Sequence, residues 1–539
     1  MGEGPITEPT TKRRPTWKLK PPHNGLTQGI VVSGFVHLPA AEALFLYCEP
    51  ELGAAAGGPG NGGAKAAWLR TLNRVAPISD ADGQDERAAA IAFTCTGLNA
   101  LGLPPDDLAT FSTPFREGMY QEDRLRRLGD KIDDEWQATV VNGGPRWSGN
   151  TPARKVQLAD PEELGFAAAG PPDEREDLRV VTPVTVHALL LLYDKDKTSV
   201  DLWAAEVTNA IARDGARVVH RLPLDLRLDQ DRIGREHFGF ADGLSQPIPF
   251  NEETADEMND CVVLSDGSPA ERDRWHGVPL GEILLGHTNG HHEKAPGPVV
   301  PDDPSGKARA ADLKSEGAPA GFCNFGLNGS YLVVRELRQD VPAFWKSMTE
   351  GAARIQAHDP SATFATADWL SERIIGRNID GHLLCPSGVL AKDEYNQPKN
   401  AFGFARSDPH GHGCPPGSHV RRANPRDGLA PDEASAQTLL DAANNHRILR
   451  RGRKYGTTVP RDAPPDGEER GLLFMCLNTD IARQFEFVQQ TWLLNRNFAT
   501  LFDETDPLVG PKGHFTIREQ PLRRIVEVET FVRLAGGEY

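Results

Sequence analysis

The sequence has no CxxC pair and no even set of cysteines. Its seven, Cys48, Cys95, Cys261, Cys323, Cys385, Cys414 and Cys476, are scattered along 539 residues. An odd, unclustered set argues for reduced thiols rather than a disulfide framework, and so for a cytoplasmic protein. Long apolar runs are missing too. The longest, Val186 to Tyr193, falls far short of the roughly 20 residues that cross a bilayer, so no membrane partner is expected. Lys12, Arg13 and Arg14 are followed by no hydrophobic stretch, which leaves a secretory signal without its core. Positive charge is in deficit, 59 Lys plus Arg against 76 Asp plus Glu. The net charge of −17 opposes binding to nucleic acid or to anionic membranes. A nucleotide loop is absent as well: SGK at Ser305 to Lys307 has Pro301 where the first glycine is required, and no strand leads into it.

What remains is a globular composition, 39% hydrophobic and 25% charged, long enough for two or more core-forming units. Residues 1–24, rich in Pro, Thr and Lys, read as a flexible arm before a strand-like stretch at Gly29 to Leu38. Small residues at Leu52 to Ala66 read as a surface loop, and irregular stretches run from Val141 to Pro172 and from His287 to Ala310. Val184 to Asp194 predicts a buried strand and Val200 to Gly215 an amphipathic helix. Ser330 to Leu337 predicts a strand and Gln339 to Ile355 a helix, and Gly471 to Asn478 a core strand leading into another helix. This rhythm in both halves supports α+β or α/β with two similar units.

Three segments could carry chemistry. In HFGFADGLSQPIPF, Asp242 is followed by Gly243, which reads either as a tight turn or as a carboxylate held among apolar residues for acid and base work. HGHGCPPGSHVRRANPRD places His410, His412, Cys414 and His419 in one loop. Its spacing fits no usual zinc pattern, and a single neutral imidazole also serves as a haem ligand. NNHRILRRGRKYG, Asn444 to Gly456, reads as a helix end with cations at its C-terminus, one of which could instead point inward to stabilise negative charge. His287, His291 and His292 read as solvated residues of the irregular segment.

Together, GFADG at Gly239 to Gly243, GSHVRRANPRD at Gly417 to Asp427 and HRILRRGRKYG at His446 to Gly456 resemble the dye-decolourising peroxidase family in order and wording. Further likeness, including GEILLGHTN from Gly281, NGSYLVVRELRQDV from Asn328 and GLLFMCLNTDIARQFEFVQ from Gly471, extends it over about residues 25 to 539. The resemblance implies an α+β fold of two ferredoxin-like halves with antiparallel sheets, as in one of the larger subclasses of the family. The N-terminal half would cover 25–290 and the C-terminal half 320–539, with a linker at 291–319. One haem b per chain would be held mainly by the C-terminal half.

Position by position, the resemblance makes Asp242 the distal aspartate, His419 the proximal iron ligand and Arg450 the distal arginine. Leu472 and Phe474 would form the apolar distal wall, with Leu473 or Met475 as the alternatives. Asp480 or Glu486 would orient the histidine. Glu336 departs from the pattern, where a basic residue is expected, and this puts a substrate contact in doubt. The implied activity is haem-dependent reduction of hydrogen peroxide with one-electron oxidation of a small aromatic or phenolic substrate. A homo-oligomer is left open. Trp345, Trp369, Trp492 and Tyr455 read as packing residues rather than surface radical sites. Two other classes compete: a haem carrier indifferent to Asp242 and Arg450, and a zinc enzyme built on His410, His412 and Cys414.

Overall fold

The computed structural model describes residues 17–49, 66–83, 86–149, 154–157, 169–172, 178–181, 184–226, 228–229, 234–250, 262–264, 267, 275–294, 297–302, 317–385, 400, 402–519 and 523–539. Nine strands form its main sheet: β1 Ala40–Cys48, β2 Ala88–Phe93, β3 Ala188–Asp194, β4 Ala216–Asp225, β5 Tyr331–Gln339, β6 Leu449–Arg450, β7 Arg453–Tyr455, β8 Gly471–Asn478 and β9 Val532–Glu538. Its helices include α1 Ala67–Val75, α2 Lys197–Ala212, α3 Val341–His358, α4 Ala367–Ile375, α5 His419–Ala423 and α6 Ala436–Asn444, with π-helical turns at Ala482–Glu486 and Val488–Leu493.

The strand order is β9-β5-β8-β7-β4-β1-β3-β2, with β6 pairing β8. Every pairing is antiparallel. Read along the chain, β1-α1-β2-β3-α2-β4 is one βαββαβ unit whose sheet order is β4-β1-β3-β2. The strands β5, β7, β8 and β9, with α3 after β5 and the π-helical turns after β8, repeat that order. The fold is therefore α+β with two ferredoxin-like halves, joined edge to edge where Asp225 of β4 pairs with Lys454 of β7. Strand alternation explains the layers. Leu44, Leu46, Leu190 and Leu192 face α1 and α2, packing on Trp68, Leu72, Val200 and Trp203. Ala43, Phe45, Leu189 and Leu191 face the other way and share a core with Val334, Leu473 and Met475 of the second half.

The strand predicted at 184–194 is resolved as a short Val184–Thr185 piece followed by β3. The predicted helices at 200–215 and 339–355 are α2 and α3, and Gly471 to Asn478 is β8 to the residue. Two expectations fail. Gly29 to Leu38 is not a strand: Gly29–Val32 is helical and Phe35 has φ 49°. Its carbonyls are taken by side chains rather than by a neighbouring strand. Arg451 donates to Ile30 and Val31 (2.8 and 2.6 Å), and Arg453 donates to Gly34, Phe35, Leu38 and Pro39. Nor is 444–456 a helix end, because α6 stops at Asn444 and the basic run forms β6 and β7. The loop expected at 52–66 falls, except for Ala66, outside the described residues, as do the N-terminal arm through residue 16 and Ser305 to Lys307. Among the described residues no helix is long and apolar enough to cross a membrane.

Candidate active site

His419 opens α5, directly after Ser418, whose hydroxyl donates to the Arg373 carbonyl of α4 (2.5 Å). Its imidazole Nδ1 lies 3.0 Å from Oδ2 of Asp506, a carboxylate with no exposure to solvent. Oδ1 of Asp506 accepts the backbone N–H groups of Leu508 and Val509 (2.9 and 3.0 Å). Burial pushes the Asp506 carboxyl up, but the His419 imidazole, the Val509 N–H and the Arg422 guanidinium override it and hold the group below its usual range. An ionised carboxylate can only accept, so Nδ1 carries a proton and Nε2 is the nitrogen left to meet a ligand. Neither expected partner does this work. Glu486 accepts from Arg124 and from the Tyr539 hydroxyl (2.8 Å), and Asp480 accepts the N–H of Arg483 at a helix start. The selecting contact spans 87 residues, which no local motif signals.

Asp242 lies in an exposed bend, its N–H donating to the Gly234 carbonyl (2.9 Å) and its Oδ1 accepting from the Gly243 N–H (2.6 Å). Just beyond it, Gln246 accepts the backbone N–H of Arg450 through Oε1 (3.0 Å), and Ser245 accepts from Arg377 (3.0 Å). The segment after Asp242 thus carries the connection to Arg450, and no direct contact joins the two side chains among the described residues. Arg450 pairs with Cys476 across β6 and β8. Alternation on β8 therefore puts Leu472 and Phe474, both half-buried, on the face of Arg450. Leu473 and Met475, the alternatives, are fully buried in the core on the opposite face.

Arg377 bridges the two sides. It follows Gly376, which ends α4 at φ 94° and where a Cβ would meet Cys414, Ser418 and Val420 at 3.1 to 3.2 Å. Its guanidinium donates to the Gly381 carbonyl (2.7 Å) and to Ser245, and burial, with the charge of Arg450 adding, brings it down to about 10.

The remaining histidines do other work. The rings of His410 and His412 lie 5.7 Å apart and tilted by 49°, while Cys414 is buried with its thiol directed at Gly376. Among the described residues no set of three or more His, Cys, Asp or Glu converges on a metal position. His287, expected in solvent, is buried against Asn328 (2.8 Å), whereas His291 and His292 are exposed. Glu336 is also buried, accepting from the Trp147 indole (2.6 Å) and facing His220 (3.0 Å), so it offers no substrate contact.

No family model matches the chain. Among curated proteins, it is 28% identical over 447 residues to dye-decolorizing peroxidase msp1 of Mycetinis scorodonius, covering 80% of this chain and 67% of that protein. It is 30% identical over 323 residues to the multifunctional dye peroxidase DyP2 of an Amycolatopsis species, covering 57% of this chain and 58% of that one. Along most of its length the chain is similar to dye-decolourising peroxidases. Solved structures share its fold. The DyP-type peroxidase of an Anabaena species superposes with a TM-score of 0.63 at 22% identity, over 95% of this chain and 91% of that one. The decolorizing peroxidase of Auricularia auricula-judae gives 0.60 at 20% identity, over 95% of each.

Dye-decolourising peroxidases are haem-dependent, and this chain is accordingly a haem peroxidase that reduces hydrogen peroxide while oxidising a second substrate. The donor set fits the group: an imidazole whose Nδ1 is held by a buried carboxylate presents its other nitrogen as a ligand that suits ferric iron.

Proposed function

We propose that the cofactor is haem b, one per chain, with His419 as its iron ligand and with Asp242, Arg450, Leu472 and Phe474 on the opposite side. The observation that carries this reading is the His419–Asp506 pair, a proton-donating Nδ1 on a carboxylate with no solvent exposure. Bound haem would supply the iron at which peroxide is cleaved and the two oxidising equivalents returned in one-electron steps. Asp242 would take a proton from one oxygen of peroxide and deliver it to the other. Arg450, always cationic, stabilises the charge that develops between them. Leu472 and Phe474 keep bulk water from that side. Asp506 holds His419 in one tautomer and raises its basicity.

The reducing substrate is a small aromatic or phenolic compound, a reading supported by relatives named for dyes. The net charge of −17 supports the absence of nucleic-acid partners. A cytoplasmic location is supported by the six described cysteines, all free. The division at 25–290, 291–319 and 320–539 is supported by the two βαββαβ units, whose strands span 40–225 and 331–538.

The test is the absorption spectrum of haem-loaded protein before and after one equivalent of peroxide. The parent should form a high-valent spectrum. His419→Ala should lose the normal ferric spectrum, and Asp242→Asn or Arg450→Leu should slow the peroxide reaction by ~10²-fold or more. Haem binding without any peroxide reaction would move the carrier reading to first place.

A further inference from the structure

Glu236 is six residues before Asp242 and is half-buried, and the loop that presents Asp242 is built on its carboxylate. Oε2 accepts the N–H of Phe238 (2.8 Å) and Oε1 that of Phe240 (2.8 Å). The backbone closes the same loop: Glu236 donates to the Phe240 carbonyl (3.1 Å), and Gly239 donates to that of Glu236 (3.0 Å). Its one side-chain partner is neutral, the amide of Gln339, donating to Oε2 at 2.7 Å. Among the described residues no cation forms an ion pair with it. The Arg235 guanidinium is spent on Asp229, Asp380 and two carbonyls, and the His237 ring is turned to the Tyr455 carbonyl. From the side of Gln339, Arg470 is occupied by Asp466 and the Thr457 carbonyl, while Asp340 caps α3. The charge that faces Glu236 is the like charge of Asp242.

Gln339 has a second feature. Its Oε1 is buried and without a hydrogen bond. Rotating the amide by half a turn would present that oxygen to Glu236, where it accepts a proton-bearing carboxyl as readily as Nε2 now donates to an ionised one. The loop therefore has a partner for both protonation states of one acid.

We propose that Glu236 is a positioning residue for Asp242, binding and releasing a proton in the working pH range and so setting the seat of the distal carboxylate. When Glu236 is ionised, both loop N–H groups are held and its charge opposes that of Asp242. When it is protonated, one acceptor is lost, the Asp242 loop slackens and the repulsion disappears. Burial pushes the Glu236 carboxyl up to about 7, with the charge of Asp242 adding, against the pull of its three donors. This rests on Asp242 being the proton carrier, and its test does not depend on that.

The measurement is the infrared carboxyl band of haem-loaded parent, Glu236→Gln and Asp242→Asn across pH 5 to 9. In the parent, a protonated carboxyl band absent from Glu236→Gln should titrate near neutrality. In Asp242→Asn its midpoint should move to lower pH, because the opposing charge is gone. The pH profile of the peroxide reaction should lose the matching ionisation in Glu236→Gln. A band that does not titrate between pH 5 and 9, or a midpoint unmoved in Asp242→Asn, overturns the proposal. If the band behaves as expected while Asp242→Asn reacts with peroxide at the parent rate, it is the role of Asp242 that fails. Should Glu236→Gln not fold, isotope-edited glutamate bands in the parent and Asp242→Asn give the same decision.

Discussion

His237, beside Glu236, shows what one buried side chain contributes. Its ring is 3% exposed, and Nε2 donates to the Tyr455 carbonyl at 2.7 Å. Burial brings its pKa down to about 4. Between pH 4 and its ordinary value near 6.5, the unfolded chain binds a proton there that the folded chain refuses. The stability held by neutral His237 is thus complete above pH 6.5 and lost as pH falls toward 4. The stability difference between parent and His237→Gln, read from urea unfolding, should shrink by on the order of 3 kcal/mol across that window and stay flat above pH 7. At this scale the sequence was unevenly legible. Asp242, His419 and Arg450 stand in motifs whose wording carries them. Asp506, Gln246 and Arg377 do not, because each acts through a contact between distant segments. Asp506 follows a Thr and precedes a Pro in DETDPLVG, which marks a turn and nothing more.

Among the elements, α5 is only five residues long and cannot hold His419 by its own hydrogen bonds. Arg422, with no solvent exposure, does it instead. Its guanidinium donates to the carbonyls of Trp492, Leu493, Asn495 and Glu504 at 2.7 to 3.2 Å, tying the helix to the end of the π-helical turns and to the segment leading to Asp506. Arg422→Leu would leave four carbonyls, three of them buried, without that donor, and chemical denaturation should show a loss of ~3 kcal/mol or more. Arg422→Lys, with a point charge in place of a fork, should recover only part of it. Periodicity made β8, α2 and α3 legible because each has a clean apolar face. It misread Gly29 to Leu38 and the basic run after Asn444, where arginine side chains take the place of the usual backbone partners.

For the whole molecule, the two βαββαβ units meet along more than the Asp225–Lys454 pairing. Trp147 and His220 of the first reach Glu336 of the second, and Arg146 forms a two-pronged pair with Glu469 (2.7 and 2.8 Å). Glu336 stands opposite Leu473, on the face of the sheet turned away from Arg450. Removing its carboxylate in Glu336→Ala should therefore destabilise the protein by about 3 kcal/mol while leaving the rate of reaction with peroxide within about twofold of the parent, as stopped-flow absorbance would show. The duplicated rhythm of strands and helices was readable in the sequence. The edge-to-edge joining was not, since β7 is three residues long and carries no strand signal of its own.

That joining also fixes an order in time. Strand β4 has to wait for β7, roughly 230 residues later, and pairings so distant in sequence are slow to close. Asp242 is made with the first unit, His419 and Arg450 with the second. A nascent chain can complete its first sheet early, yet it has no competent cradle for a porphyrin until the last third has been synthesised and docked. Cofactor capture is thus a late event in the life of the chain, gated by folding rather than by encounter.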